Sequence, residues 1–275
     1  MGYGGPAMPL TPFQRRVASL LAANRSPDSH LAGGAALHIK PNSKRYSNDL
    51  DFFHDSERRV AEAFAADRAA LETAGIGVSV ELAQPGYIRA LAETGADGTK
   101  IEWAHDSAWR FMPPVRVAEA GYALHPIDLA VNKVLALAGR DEARDFIDVL
   151  FADEEMLSFA ALVWAAAGKD PGFTPRSLLE LLKRRGRYRP EDFKRLRLAE
   201  PVEPAVLKTR WLAAVDEAER FIQSRPPEEM GCLYYSPGER RFVTPGAGSP
   251  PDAVVHFGRP GGILPELYAG DSLTS

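Results

Sequence analysis

The sequence predicts an α+β protein: a small mixed sheet with helices in the N-terminal half, a helical C-terminal half, and a small β tail. Three observations carry this. Short strand-like runs separated by turn signals dominate the first 125 positions. From Pro126 the apolar residues recur at helical spacing. Beyond "RPPEE" the chain becomes richer in Gly, Pro and aromatics and carries three brief strand-like stretches. The expected division is therefore an α/β domain over 1–125, a helical domain over 126–225, and a Gly/Pro-rich tail over 226–275 packed on the helical part.

The first helix runs from Thr11, a good N-cap, to about Asn24, with Phe13, Val17, Leu20 and Leu21 at helical spacing. "HLAGGAALHIK" reads as a short apolar strand entering a Gly-Gly turn and a helical turn or two. "PNSKRYS" is a polar connector and "NDLDFFH" a second strand. "DSERRVAEAFAADRAALETAG" is a patterned helix capped by Asp55 or Ser56 and closed by Gly75. "GVSVELA", "GYIRALAET" and "TKIEWAH" read as strands, the last two a hairpin through "GADGT". In "HPIDLAVNKVLALAGR", Pro126 suits the first helical position and Asp128 suits the dipole of the first turn. "DEARDFIDVLFADE", "EMLSFAALVWAAAG", "TPRSLLELLKRRG", "RPEDFKRLRLA" and "PAVLKTRWLAAVDEAERFIQS" continue as helices. The last places Leu207, Trp211, Val215 and Ile222 on one stripe. "CLYYS", "RRFVTP" and "AVVHFG" are the strand-like pieces of the tail.

With 275 residues, 45% hydrophobic and 25% charged, the chain has ample material for a core and the composition of a soluble globular protein. A net charge of −4 excludes a generally basic coat protein. Arg176 to Leu198, however, holds nine Lys and Arg against three acids, a local stripe that can meet phosphates or simply be a solvated helix face. The single cysteine, Cys232, permits no internal disulfide and reads as a buried bystander. The opening "MGYGGPAMPLTPFQRR" lacks a basic region followed by an apolar run, and no apolar segment is long enough to span a bilayer, so a cytoplasmic protein without a membrane partner is expected.

The chemistry is suggested by "SNDLDFF". On a strand, Asp49 and Asp51 share one face while Leu50 and Phe52 point into a core. Two carboxylates held side by side repel each other, and a divalent cation relieves that repulsion. Glu102, in "KIEWA", lies on a later strand opposite Ile101 and Trp103, and Gly33-Gly34 opens a turn after the preceding strand. Taken singly, each feature has a bland explanation. Together they are the parts for metal-assisted phosphoryl transfer. Glycines before a helix let backbone N–H groups approach phosphates, Mg²⁺ takes hard oxygen ligands, and two metals about 3.5–4 Å apart can clamp an in-line displacement. An ammonium such as that of Lys133 would neutralise charge on departing pyrophosphate.

"LAGGAAL…RYSNDLDFF" resembles the first motif of the DNA polymerase β-like nucleotidyltransferases. "HPIDLAVNKVLALAGRDEARDFIDVLF" is similar to a segment of the AbiEii/AbiGii toxin branch, where Asp-Leu, a lysine, an arginine and Arg-Asp-x-x-Asp follow in order. The resemblance spans residues 28 to 152. It implies a polymerase β-like nucleotidyltransferase domain, an NTP substrate and Mg²⁺, with Asp49, Asp51 and Glu102 as metal ligands. Gly33, Gly34 and Lys133 would hold the triphosphate, and Asp145 and Asp148 would complete the catalytic set on one helix face. Arg144 would hold a phosphate or pair with an acid. The superfamily often has Asp where Glu102 stands, which makes Asp106 a rival, and often Ser or Thr where this chain has Ala35; Arg45 would compensate as a phosphate contact. The competing reading of Lys133, Arg140, Arg144 and Asp148 is an exposed salt-bridged face. The family implies a toxin of a toxin–antitoxin or phage-resistance system, with a cognate antitoxin and an RNA acceptor such as the 3′ end of tRNA. Alternatives are a small-molecule acceptor of the aminoglycoside type, or a non-catalytic nucleotide-binding module.

Overall fold

The computed structural model describes residues 10–39, 43, 45–246 and 250–265. The outer parts of the opening stretch and of the tail, and most of "PNSK", lie outside them. Helix α1 (Pro12–Leu21) begins at a capping box: Gln14 N–H donates to Thr11 Oγ1 at 3.1 Å, and the Gln14 side chain accepts from Thr11 N–H at 2.9 Å. The expected helix stops three residues early, its last turn tightening to 3₁₀ over Ala22–Asn24. Helix α3 (Glu57–Thr73) is capped by Ser56, not Asp55.

Seven strands form the main sheet: β1 (Ser29–Ala32), β2 (Asp49–His54), β3 (Gly77–Gln84), β4 (Tyr87–Thr94), β5 (Asp97–His105), β7 (Val115–Val117) and β8 (Gly121–Ala123), in the order β3-β4-β5-β2-β1-β8-β7. The sheet is mixed. Strand β2 runs parallel to β5 and β1 parallel to β8, and the other pairs are antiparallel. The parallel β2–β5 pair needs a long crossover, supplied by α3 and the β3–β4 hairpin. Strands β7 and β8 leave no signal in the sequence, because three-residue strands are too short to show a period. The alternation read from "NDLDFFH" holds: Leu50 and Phe52 are fully buried while Asp49, Asp51 and Phe53 are half-buried on the other face. Leu50, Phe52, Ile101 and Trp103 pack with α1 and α3 residues into one core.

The C-terminal half is helical: α4 (Pro126–Gly139), α5 (Ala143–Glu155), α6 (Phe159–Lys169), α7 (Pro175–Leu182), α8 (Pro190–Lys194) and α9 (Pro204–Ser224). Helix α6 is buried on nearly all sides, as its alanine-rich sequence allows, and forms the centre of a second core. Helix α8 is only five residues long where a longer one is expected. After it the chain extends so that Leu198 bridges to Arg45, and the Arg197 carbonyl accepts from Tyr46 N–H at 2.9 Å.

Strands β9 (Leu233–Ser236), β10 (Arg241–Val243) and β11 (Val254–His256) form a three-stranded sheet. Cys232, Leu233, Tyr234, Phe242 and Val243 are buried in the helical core. The chain then returns to the N-terminal half, where β12 (Arg259–Pro260) pairs with β6 (Trp109–Arg110). No helix among the described residues is long and apolar enough to cross a membrane.

Candidate active site

Two short elements bring the first motif together. The chain leaves β1 and enters α2 (Gly33–Leu37) directly, so Gly33 and Gly34 face the Asp49–Asp51 side of β2. Gly33 has φ +59°, and a Cβ there would sit 1.8 Å from Asp51 Oδ2. A Cβ at Gly34 would lie 2.6 Å from Arg45 Nη2. The Gly-Gly pair is thus demanded by the close approach of the acid and the arginine. Ala35, by contrast, is fully buried in the N-terminal core and does not line the cleft.

Register delivers the third acid. Because β2 and β5 are paired in parallel with Asp51 beside Glu102, the two carboxylates rise from neighbouring strands on one face. Oxygens of Asp49, Asp51 and Glu102 all lie within 4.8 Å of one another. Asp106 is elsewhere: it follows the end of β5, and its carboxylate pairs with Lys169 at 3.3 Å. Burial pushes the Asp51 carboxyl up to about 7, and the neighbouring charges of Asp49 and Glu102 push in the same direction. Three hard oxygen donors, mutually repelling and close enough for shared coordination, fit a divalent cation.

The acids line a cleft of about 190 Å³ together with Gly33, Gly34, Arg45, Phe53, Arg89, Lys133, Arg140 and Arg144. A larger cavity of about 410 Å³ between α5 and α9 is lined by none of the predicted site residues. Lys133 arrives from α4 and is buried. Its ammonium bonds Asp145 at 3.1 Å and Asp148 at 2.8 Å, both on α5. Asp148 also accepts Nε and Nη2 of Arg45, at 2.9 and 2.8 Å, and Nε2 of His38 at 2.8 Å. Asp145 accepts Arg140 Nε at 2.7 Å. Burial alone would raise the Asp148 carboxyl, but Lys133 and Arg45 more than offset it and hold it well below the usual range.

Of the salt-bridged face considered as an alternative, Lys133 and Asp148 are buried, whereas Arg140 is exposed and Arg144 half-buried. Asp145 and Asp148 stand behind the cleft wall and orient its cations. Arg144 is at the rim, 3.7 Å from Asp49 and 3.1 Å from Glu142.

Three further residues, Arg89, Ser47 and His38, carry no site role in the sequence, and Arg140 figures there only in the salt-bridged face. Arg89 on β4 lies beside Glu102 in the register and donates Nε to its Oε1 at 2.9 Å. Arg140 lines the cleft, Ser47 bonds Asp49 Oδ1 at 3.1 Å, and His38 joins Asp148. For Arg89 the signal was there in principle, because the predicted "GADGT" hairpin sets arginine opposite glutamate once the register is known.

A mixed sheet carrying three convergent carboxylates beside a glycine turn, backed by a helical half, defines a nucleotidyltransferase. The chain belongs to the family described as "Nucleotidyl transferase AbiEii toxin, Type IV TA system", whose pattern matches residues 18–229. Its fold is similar to that of MenT4, a nucleotidyltransferase toxin from Mycobacterium tuberculosis H37Rv, with TM-score 0.50 and 18% identity over 78% of this chain and 83% of that one. JHP933 from Helicobacter pylori is more distant, at TM-score 0.43 and 16% identity over 76% of this chain and 92% of that one. No curated protein matches in sequence.

Proposed function

We propose that this toxin transfers a nucleoside monophosphate from an NTP to an acceptor hydroxyl of RNA, the 3′ end of tRNA. The observation that carries the reading is the convergence of Asp49, Asp51 and Glu102 beside Gly33, Gly34 and Lys133. Asp49, Asp51 and Glu102 would hold Mg²⁺, which when bound supplies charge neutralisation at the reacting phosphate. Gly33 and Gly34 let the chain pass close to Asp51 and Arg45, where a side chain at either would collide, and their backbone N–H groups would meet the triphosphate beside the metal site. Lys133, Arg45 and Arg144 offer positive charge to the phosphates, with Asp145 and Asp148 fixing the first two in place. The acceptor oxygen bonds to the α-phosphorus, the bond from that phosphorus to the bridging oxygen breaks, pyrophosphate leaves, and a carboxylate of the triad takes the hydroxyl proton.

The RNA acceptor is supported by charge. Arg184, Arg187, Arg189, Lys194, Arg195 and Arg197 are exposed along the connection from α7 to α9. That connection docks beside Arg45 and Tyr46, at the edge of the cleft. Phosphates of a nucleic acid drawn to it would lie next to the reacting centre. Family membership implies a cognate antitoxin, and a cytoplasmic site of action follows from a tRNA target.

The test is incubation with each labelled triphosphate and total RNA. Label is expected in tRNA with the wild type and to be lost, by at least about 10³-fold, in an Asp49→Ala/Asp51→Ala protein that melts normally. Undiminished transfer by that protein would end the proposal, and label confined to small molecules would exclude the RNA acceptor.

A further inference from the structure

Arg89 is the cleft residue whose position is hardest to explain by stability alone. It sits on the open face of β4, and its acidic partner is Glu102, one of three acids that already crowd each other. The pair is not buried away: the Arg89 side chain is 38% exposed and that of Glu102 23%, so the bond is held in contact with water and is worth little to folding. The remaining cleft cations are committed elsewhere. Lys133, Arg45 and Arg140 are bound from behind by Asp145 and Asp148, and Arg144 is shared between Glu142 and a looser contact to Asp49. Among the described cations of the cleft, Arg89 alone is joined to the triad by a short hydrogen bond. Its guanidinium also lies 5.6 Å from the Tyr87 ring centroid.

We propose that Arg89 occupies the cation's place on Glu102 in the metal-free protein and is handed over to the nucleotide's phosphates when a divalent cation takes that carboxylate, so that metal and triphosphate bind with positive coupling. The inference rests on the reading of the triad as a metal site. Its physics is competition. One carboxylate cannot give its oxygen fully to both a guanidinium and a divalent ion, and the like charges repel at that range. Once displaced, the guanidinium remains at the wall of the same cleft as Gly33, Gly34 and Lys133, where its fork of donors suits a phosphate. Arg89 is thus a positioning residue before metal arrives and a nucleotide contact afterwards.

Opposite shifts in two affinities distinguish this from a structural role. Mn²⁺ binding to the nucleotide-free protein is measured by calorimetry for the wild type and for Arg89→Gln, with Arg89→Met as a second replacement should the first not fold. Loss of the competing cation is expected to tighten Mn²⁺ binding by about two- to fivefold, the strength of a partly exposed pair. Binding of a non-hydrolysable triphosphate in saturating Mn²⁺ is expected to weaken by about tenfold or more. Arg89→Lys, which keeps the charge, should restore much of both. Unchanged or weaker Mn²⁺ binding in the glutamine and methionine variants would overturn the hand-over while leaving the metal site standing. A wild type that binds no Mn²⁺ would remove both.

Discussion

Asp148 shows how much one side chain can be asked to do. It is fully buried and bonded at once to Lys133, Arg45 and His38, so two cations that line the cleft depend on it for their position. Removing one partner from such a cluster strands buried charge, which costs far more than the pair itself contributes. Asp148→Ala is expected to lose about 3–5 kcal/mol of unfolding free energy by urea titration. The pH dependence follows from the same cluster. Its carboxyl is held well below the ordinary value, so the folded state binds that proton less readily than the unfolded chain. Stability from this group is therefore complete at neutral pH and falls as the solution is acidified below about pH 4. An Asp148→Ala protein whose stability matches the wild type at pH 7 would show that Lys133 and Arg45 find other partners. Asp51 is the reverse case: pushed up to about 7 by burial and by its acidic neighbours, it is a group the metal-free fold tolerates at a cost. A carboxylate kept in that condition agrees with the metal site proposed above.

Among the elements, α4 is the one that ties the halves together. Its Pro126 start was expected, and His125 caps it by accepting from Ile127 N–H at 3.2 Å. Asp128 was expected simply to suit the dipole of the first turn. It is instead fully buried, accepting backbone N–H groups of Phe111 at 2.7 Å and Met112 at 2.9 Å, and so fastens the helix to the segment after β6. Asp128→Ala leaves the buried Phe111 N–H and the half-buried Met112 N–H without a partner; the first should cost about 1–3 kcal/mol and the second less, seen as a lower melting temperature. Hydrogen exchange at Phe111 and Met112 should rise in the same variant; unchanged protection there would contradict the clamp. This part of α4 was illegible in the sequence because nothing local marks the carboxylate's partners, which lie sixteen and seventeen residues upstream. The helix itself was legible, as were α3, α9 and the β4–β5 hairpin, because their periodicity and caps are local properties.

At the scale of the whole molecule, the tail is structural. Leu233, Tyr234, Phe242 and Val243 are buried in the helical core, and Trp164 Nε1 donates to the Glu229 carbonyl at 2.8 Å. Farther on, His256 Nε2 donates to the Phe111 carbonyl at 2.9 Å and β12 adds to β6, so the tail grips both halves. A chain ending at Met230 would lose those four side chains and expose the helical core they cover; each is worth about 1.5–3 kcal/mol of burial, which together rival the stability of an ordinary domain. Such a truncation is expected to be insoluble or to lack a cooperative thermal transition. A sharp melt near that of the full chain would instead make the tail a separable appendage. The sequence by itself determined the class of sheet and helices, the Gly33-Gly34 turn and the shared face of Asp49 and Asp51, because each follows from chain geometry over a few residues. Only the tertiary structure decided that Glu102 and not Asp106 joins them, that Arg89 leans on that glutamate, and that Asp145 and Asp148 stand behind the cleft. Those facts depend on strand register and helix packing between residues far apart in the chain, and no local pattern encodes the distance between such residues.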